Sequence, residues 1–258
     1  MLSEPASALT DLLLGAVAVV LAIRLGRRIH PAGRADSRGD ATLEGGRVSS
    51  AVDARPHPVR ITPHWRRMFW WTASAALAGA VHHGFVTQST RWSDRSWLVV
   101  TFLVVVAISY LLAASVDEVL GPGHATAFWV LRSGSLLAYL VVAFTLGASI
   151  QAILLCEGVT MLAVLALWGI GIRRGHPRAR AVAVAILASI GAAVVRALPP
   201  DLVAPTGLDP TSLYHLAQIP GLVLLYRATA VRERWEGPSM RWRPARSAFR
   251  EDRGDAGD

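Results

Sequence analysis

Long apolar stretches, interrupted by short polar connections, dominate the pattern along the chain. Seven of them approach the roughly 20 mostly apolar residues that one membrane crossing requires. They run about Ala8–Leu25, Met68–Thr87, Trp97–Val116, Ala127–Leu146, Ser149–Ile172, Ala181–Leu198 and Thr211–Val231. Apolar runs of this length predict membrane-spanning helices. The fold class expected is all-α: a polytopic membrane protein built as a seven-transmembrane helix bundle. The connection around Gly147 is very short, and six spans is the alternative count. The first stretch lacks a basic leader, so it is read as a true span and not a signal peptide.

The division of the chain follows. Residues 1–25 carry the first span, and residues 68–232 carry the six that complete the bundle. Residues 26–67, rich in Gly, Pro, Arg and Ala, read as a disordered loop, as do residues 233–258 at the tail. Composition agrees with the pattern: 53% of the 258 residues are hydrophobic, too apolar for an ordinary soluble domain. The single cysteine, Cys156, lies within the fifth stretch and reads as a small core residue.

Charge adds an orientation. All 26 basic residues are arginine and there is no lysine. Nine fall between Gly26 and Arg67, four in "RRGHPRAR" and seven from Arg232 onward, all on one side of a seven-span chain. The other side's connections hold only Arg91, Arg95 and Arg196. The excess of arginine marks the cytoplasmic side, which puts the N-terminus outside and the C-terminus inside, an arrangement that needs an odd number of spans. The expected location is the plasma membrane of a bacterium. The net charge of +8 is accounted for by topology, and nucleic acid is not expected as a partner.

Ionisable residues inside spans are costly and point to function. In "ALAGAVHHGF", His82 and His83 fall roughly 6–9 Å from the outer end of the second span at 1.5 Å per residue. In "DPTSLYHLAQ", His215 lies about one turn into the seventh. Asp94 in "RWSDRSW", Glu157 in the fifth span and Asp209 just before the seventh reach a similar depth, with Gln88 and Gln218 as amide neighbours and Asp11 near the outer end of the first. Imidazole and carboxylate on separate helices are the parts of a zinc site with a position open to water. Successive helical residues point about 100° apart, so His82 and His83 do not both face one point. An interhelical hydrogen bond is the plainer role for either histidine alone. Asp117, Glu118 and His124 read as a solvated inner loop. Trp70, Trp71, Trp92, Trp97 and Trp235 read as an aromatic belt, and Arg196 as a helix-end residue reaching for the interface.

The pairing of "AGAVHHGF" with "DPTSLYHLAQ" resembles the CREST superfamily of seven-span membrane hydrolases, which includes the alkaline ceramidases and the adiponectin/progestin receptors, and more closely a functionally uncharacterised bacterial branch. The resemblance implies zinc-dependent hydrolysis of a lipid amide or ester. It places His83 at the second-span histidine, Asp94 at the following aspartate and His215 at the second seventh-span histidine. Gly79 stands where the superfamily has serine, and Thr211 where it has the other histidine. The expected metal set is therefore His82, His83, His215 and Asp209, with Asp94 or Glu157 as general base and a membrane lipid as substrate. Two other classes remain open: a non-catalytic membrane sensor or binding protein, and a haem-binding electron-transfer protein with histidines as axial ligands.

Overall fold

The computed structural model describes residues 3–29, 62–121, 124–146 and 150–230. Most of the arginine-rich loop, the tail and the connection around Gly147 lie outside these residues. The described chain is helical, with no strand among the described residues. Seven long helices follow one another: α1 (Pro5–Ile29), α2 (Pro63–Val81), α3 (Thr90–Leu120), α4 (Ala125–Leu146), α5 (Ile150–Arg173), α6 (Ala179–Arg196) and α7 (Pro210–Ala230). One short helical segment, Pro200–Val203 continuing into Ala204–Thr206, bridges α6 and α7.

Four of these helices are long and apolar enough to cross a membrane: Pro5–Arg27, Arg91–Leu120, Ile153–Arg173 and Ala179–Arg196, with Trp129–Thr145 a shorter apolar stretch. Helices α2 and α7 fall short of the seven expected spans for a physical reason. α2 opens on His64, Arg66 and Arg67, and α7 carries Thr211, Ser212, His215, Gln218 and Pro220. In both, polar residues dilute the apolar run. Large apolar side chains face outward from the bundle: Phe144 is 77% exposed and Phe85 70%. Such a surface suits lipid and not water, and it marks the chain as a membrane protein.

The helices close into a ring. α1 packs on α2, α2 on α3, α3 on α5, α5 on α6, α6 on α7, and α7 back on α1, while α4 lies outside against α3 and α5. Small residues allow the close approaches. At Gly221, on the α6–α7 seam, an added Cβ would lie 2.7 Å from Ser189 Oγ.

One end of the ring is locked by buried polar pairs. Trp65 Nε1 donates to Glu118 Oε2 at 2.7 Å, and Arg178 Nη1 donates to Glu118 Oε1 at 3.0 Å. Trp168 Nε1 donates to Ser115 Oγ at 3.0 Å, and its ring lies 6.4 Å from that of Trp65. These contacts tie α2, α3 and α5 to the turn between α5 and α6. Glu118 is thus no part of a solvated loop; it is only 7% exposed. A buried carboxylate needs a partner, and Arg178 supplies one.

Candidate functional site

The opposite end of the ring begins at the C-terminus of α2. There the helix widens into one turn of π-helix over His82–Val86, in which the Thr87 amide donates to the His82 carbonyl at 3.0 Å. A π-turn inserts a residue into the helical ladder and leaves carbonyls without their usual partners. The chain preceding α1 takes them up. The Ser3 amide donates to Gly84 O at 3.1 Å, the Glu4 amide to His83 O at 3.0 Å, and Ser3 Oγ to the same carbonyl at 2.7 Å. The start of the chain is thereby strapped to the histidine turn.

The turn sends its two imidazoles to different neighbours. Ser96 Oγ donates to the Ser93 carbonyl at 2.9 Å, so the 2.6 Å contact with His82 Nδ1 is a donation from the imidazole. His82 is held against α3, its ring 5.3 Å from that of Trp97. His83 turns toward α1. Its Nδ1 donates to Glu4 Oε2 at 2.6 Å, and its Nε2 points to Asp11 Oδ2 at 4.0 Å. From α7, His215 presents Nε2 to Asp11 Oδ1 at 3.3 Å and places Nδ1 3.4 Å from Thr10 Oγ1. The His83 and His215 rings are 6.4 Å apart.

Asp11 therefore sits between the two histidines. It is 4% exposed, and its Oδ2 is buried without a hydrogen-bond partner. Gly79 explains why it fits. A Cβ built there would lie 2.5 Å from Asp11 Oδ2. The carboxylate of α1 occupies the space that a side chain at position 79 of α2 would fill.

Asp11, His83 and His215 face a cavity of about 210 Å³ that runs down the middle of the ring. A single water requires only about 10–15 Å³ on this measure, so the space suits a larger guest. At the histidine end the wall also includes Trp97, Glu157, Tyr214 and Arg196. Further in it is almost wholly apolar, with Leu14, Met68, Ile108, Met161, Ile186 and Leu222 among its residues. Glu157 accepts a hydrogen bond from the Tyr214 hydroxyl at 3.4 Å.

Of the expected site residues, His83, His215 and Glu157 line this one cavity, together with Gln218. His82 does not line it and serves α3. Asp94 is exposed near the start of α3, away from the cavity lining. Asp209 caps α7: its Oδ1 accepts the Thr211 and Ser212 amides at 2.8 and 3.0 Å, and its Oδ2 accepts the Ser212 hydroxyl. Partial burial pushes its pKa up, but these bonds and a further one from Ser7 outweigh that and hold it below the usual carboxylate value. Trp97, assigned to the aromatic belt, and Arg196, assigned to the interface, both face the cavity. Neither placement carried a signal in sequence. Asp11 did, as a carboxylate one or two turns into a span, but Gly79 as its seat did not.

Zinc bound at about 2.0–2.1 Å sets tetrahedral donors about 3.3 Å apart. The His215–Asp11 pair meets that spacing and the 4.0 Å His83–Asp11 pair exceeds it. Neither His82 nor Asp209 is directed to the same point. No group of three or more His, Cys, Asp or Glu among the described residues is arranged to hold a metal ion. As arranged, the residues do not fit the metal centre that the resemblance implies.

A family model described as a family of unknown function (DUF6962) matches residues 6–234. No curated protein and no solved structure matches the chain.

Proposed function

The chain belongs to that family of unknown function (DUF6962), and we propose that it is a seven-span membrane protein that binds an amphiphile from the bilayer. The apolar part of the guest lies in the cavity's inner shaft, and its polar group rests against Asp11, His83 and His215. The observation that carries this reading is the cavity's own division: one polar end, one apolar run, in a single continuous space. Ligand sites are commonly apolar clefts with a few convergent polar groups. The orientation follows from the arginines. "RRGHPRAR" falls at the Glu118 end, so the histidine end faces outward. An unpaired buried carboxylate oxygen costs roughly 1–3 kcal/mol, and a hydroxyl or amide N–H of the guest would relieve that cost at Asp11 Oδ2.

A CREST-like hydrolase is the second reading. It is favoured by the convergence of two imidazoles and one partner-less carboxylate oxygen at the end of an apolar shaft. It would need Asp11 in place of the histidine ligand that Thr211 replaces, and it would lack the serine that Gly79 replaces.

One preparation tests both. Detergent-purified protein is analysed for bound lipid by mass spectrometry and for metal by elemental analysis, beside an Ala107→Phe variant that fills the shaft. About one amphiphile per chain, lost in the variant, is the expected result. Equal lipid content in the two proteins removes the binding reading. About one zinc per chain, lost in both His215→Ala and Asp11→Asn, moves the protein to the hydrolase class.

A further inference from the structure

Arg196 stands in the last turn of α6, at the polar end of the cavity. A cation there favours the helix C-terminus, by roughly 0.3–1 kcal/mol. That accounts for its place in the sequence but not for its facing the cavity. Arg91 and Arg95, the other arginines assigned to this side, are both exposed. Arg196 is half-buried and forms no ion pair with any carboxylate among the described residues. The two carboxylates that share its cavity have other neighbours. Asp11 lies between His83 and His215, and Glu157 accepts from Tyr214. Charge inside a bundle of this kind faces a substrate path or a partner. Among the described residues Arg196 has no protein partner of opposite charge.

We propose that the amphiphile is anionic and that Arg196 holds its charged group, a carboxylate or a phosphate. This rests on the amphiphile reading above and names the class of guest. Guanidinium presents a planar fork of N–H donors that matches either group in two parallel bonds. The guest's apolar chain then descends the shaft past Ile108 and Leu222. The anion lies at the α6–α7 side of the polar end, where Tyr214 and Thr211 also line the wall. A neutral amphiphile of equal chain length would fill the same shaft but leave Arg196 without its partner.

The test uses the full chain, stripped of lipid and held in a neutral detergent. Binding is followed through the fluorescence of its tryptophans, Trp97 being in the cavity wall. Three ligands share one chain: oleate, 1-oleoyl-glycerol 3-phosphate and oleyl alcohol. Either anion should bind roughly 10- to 100-fold more tightly than the alcohol, the span expected of a hydrogen-bonded charge. The tighter of the two anions identifies the source of the charge, carboxylate or phosphate. Arg196→Gln should bring the anions down to the alcohol's affinity and leave the alcohol unchanged, and Arg196→Lys should retain part of the preference. Equal binding of acid, phosphate and alcohol by the unmodified chain overturns the anion assignment while the amphiphile reading stands. Failure of all three to bind overturns the amphiphile reading itself. The comparison needs no variant, so a substitution that does not fold leaves it intact.

Discussion

Replacing Gly79 by alanine adds one methyl group to α2 at the point where α1 comes closest. That methyl carbon would lie 2.5 Å from Asp11 Oδ2, 3.0 Å from Cγ and 3.2 Å from Oδ1. Carbon and its neighbours pack best at about 3.5–4.0 Å, so the carboxylate must retreat by roughly 1 Å. A shift of that size disturbs the 3.3 Å contact with His215. Overpacking of this kind costs about 1–3 kcal/mol. At roughly 2–4 °C per kcal/mol for a chain of this size, Tm should fall by about 2–12 °C. The control is Gly158→Ala on α5, where an added Cβ meets nothing within 4 Å. There the substitution should leave Tm unchanged or raise it slightly, since alanine favours helix by about 1 kcal/mol. Both variants are melted in one detergent at one scan rate, following intrinsic tryptophan fluorescence, and their bound lipid is measured. If Gly79→Ala behaves as Gly158→Ala does in both readouts, Asp11 does not occupy the seat assigned to it. Gly79→Ser should fare no better than alanine.

Three further outcomes are expected. Asp209→Ala removes the cap of α7 and should cost about 1 kcal/mol in thermal stability, with Asp209→Asn retaining most of it and bound lipid unaffected; a loss of lipid without loss of stability would make Asp209 a site residue after all. Glu118→Gln takes the carboxylate from buried Arg178 and should destabilise by about 3–5 kcal/mol, so a change below 1 kcal/mol would contradict the lock assigned to that end. Burial, and then the charge of Arg178, lower the His176 pKa from its ordinary 6.5 to about 4. The unfolded chain therefore takes up the proton first, and stability, full above about pH 6.5, declines as pH falls from there toward 4, by at most about 3 kcal/mol given Glu118 Oε1 3.8 Å away. Melting curves of wild type and His176→Phe across that window check this, since only wild type should show the added slope.

Much of the architecture was legible because apolar length and small-residue content are one-dimensional properties. The helices of the bundle follow the seven apolar stretches closely, and the π-turn begins at the histidine pair His82 and His83. That His82 and His83 must diverge followed from helical geometry alone. Which of them faces inward did not, because the answer depends on the π-turn and on Glu4 and Ser96, from opposite neighbours. Depth along a helix can be counted from sequence, whereas azimuth cannot. Asp94 and Asp209 have the right depth for a shared site, yet one is exposed and the other is spent on the α7 cap. Glu118 shows the same gap from the other direction: its position in a connection gave no sign that Arg178, 60 residues later, would meet it in the interior.

Similar side chains are used in opposite ways at the two ends of the bundle. At one end, Glu118 has Arg178 on one oxygen and Trp65 on the other, with His176 nearby. That carboxylate is satisfied within the protein, and the end is closed by two tryptophan rings. At the histidine end, Asp11 has imidazoles at 3.3 and 4.0 Å and one oxygen without a hydrogen bond, and Arg196 shares the cavity with no carboxylate among the described residues to pair with. The fold has the means to join an arginine to a buried acid, since it does so at Glu118. Leaving Asp11 and Arg196 unjoined forfeits stability at the histidine end, and both line the cavity there. A cost of that kind persists where a guest relieves it. The Glu118 end is thus the bundle's fastening, and the histidine end is where the polar group of the proposed amphiphile would complete what the chain leaves open.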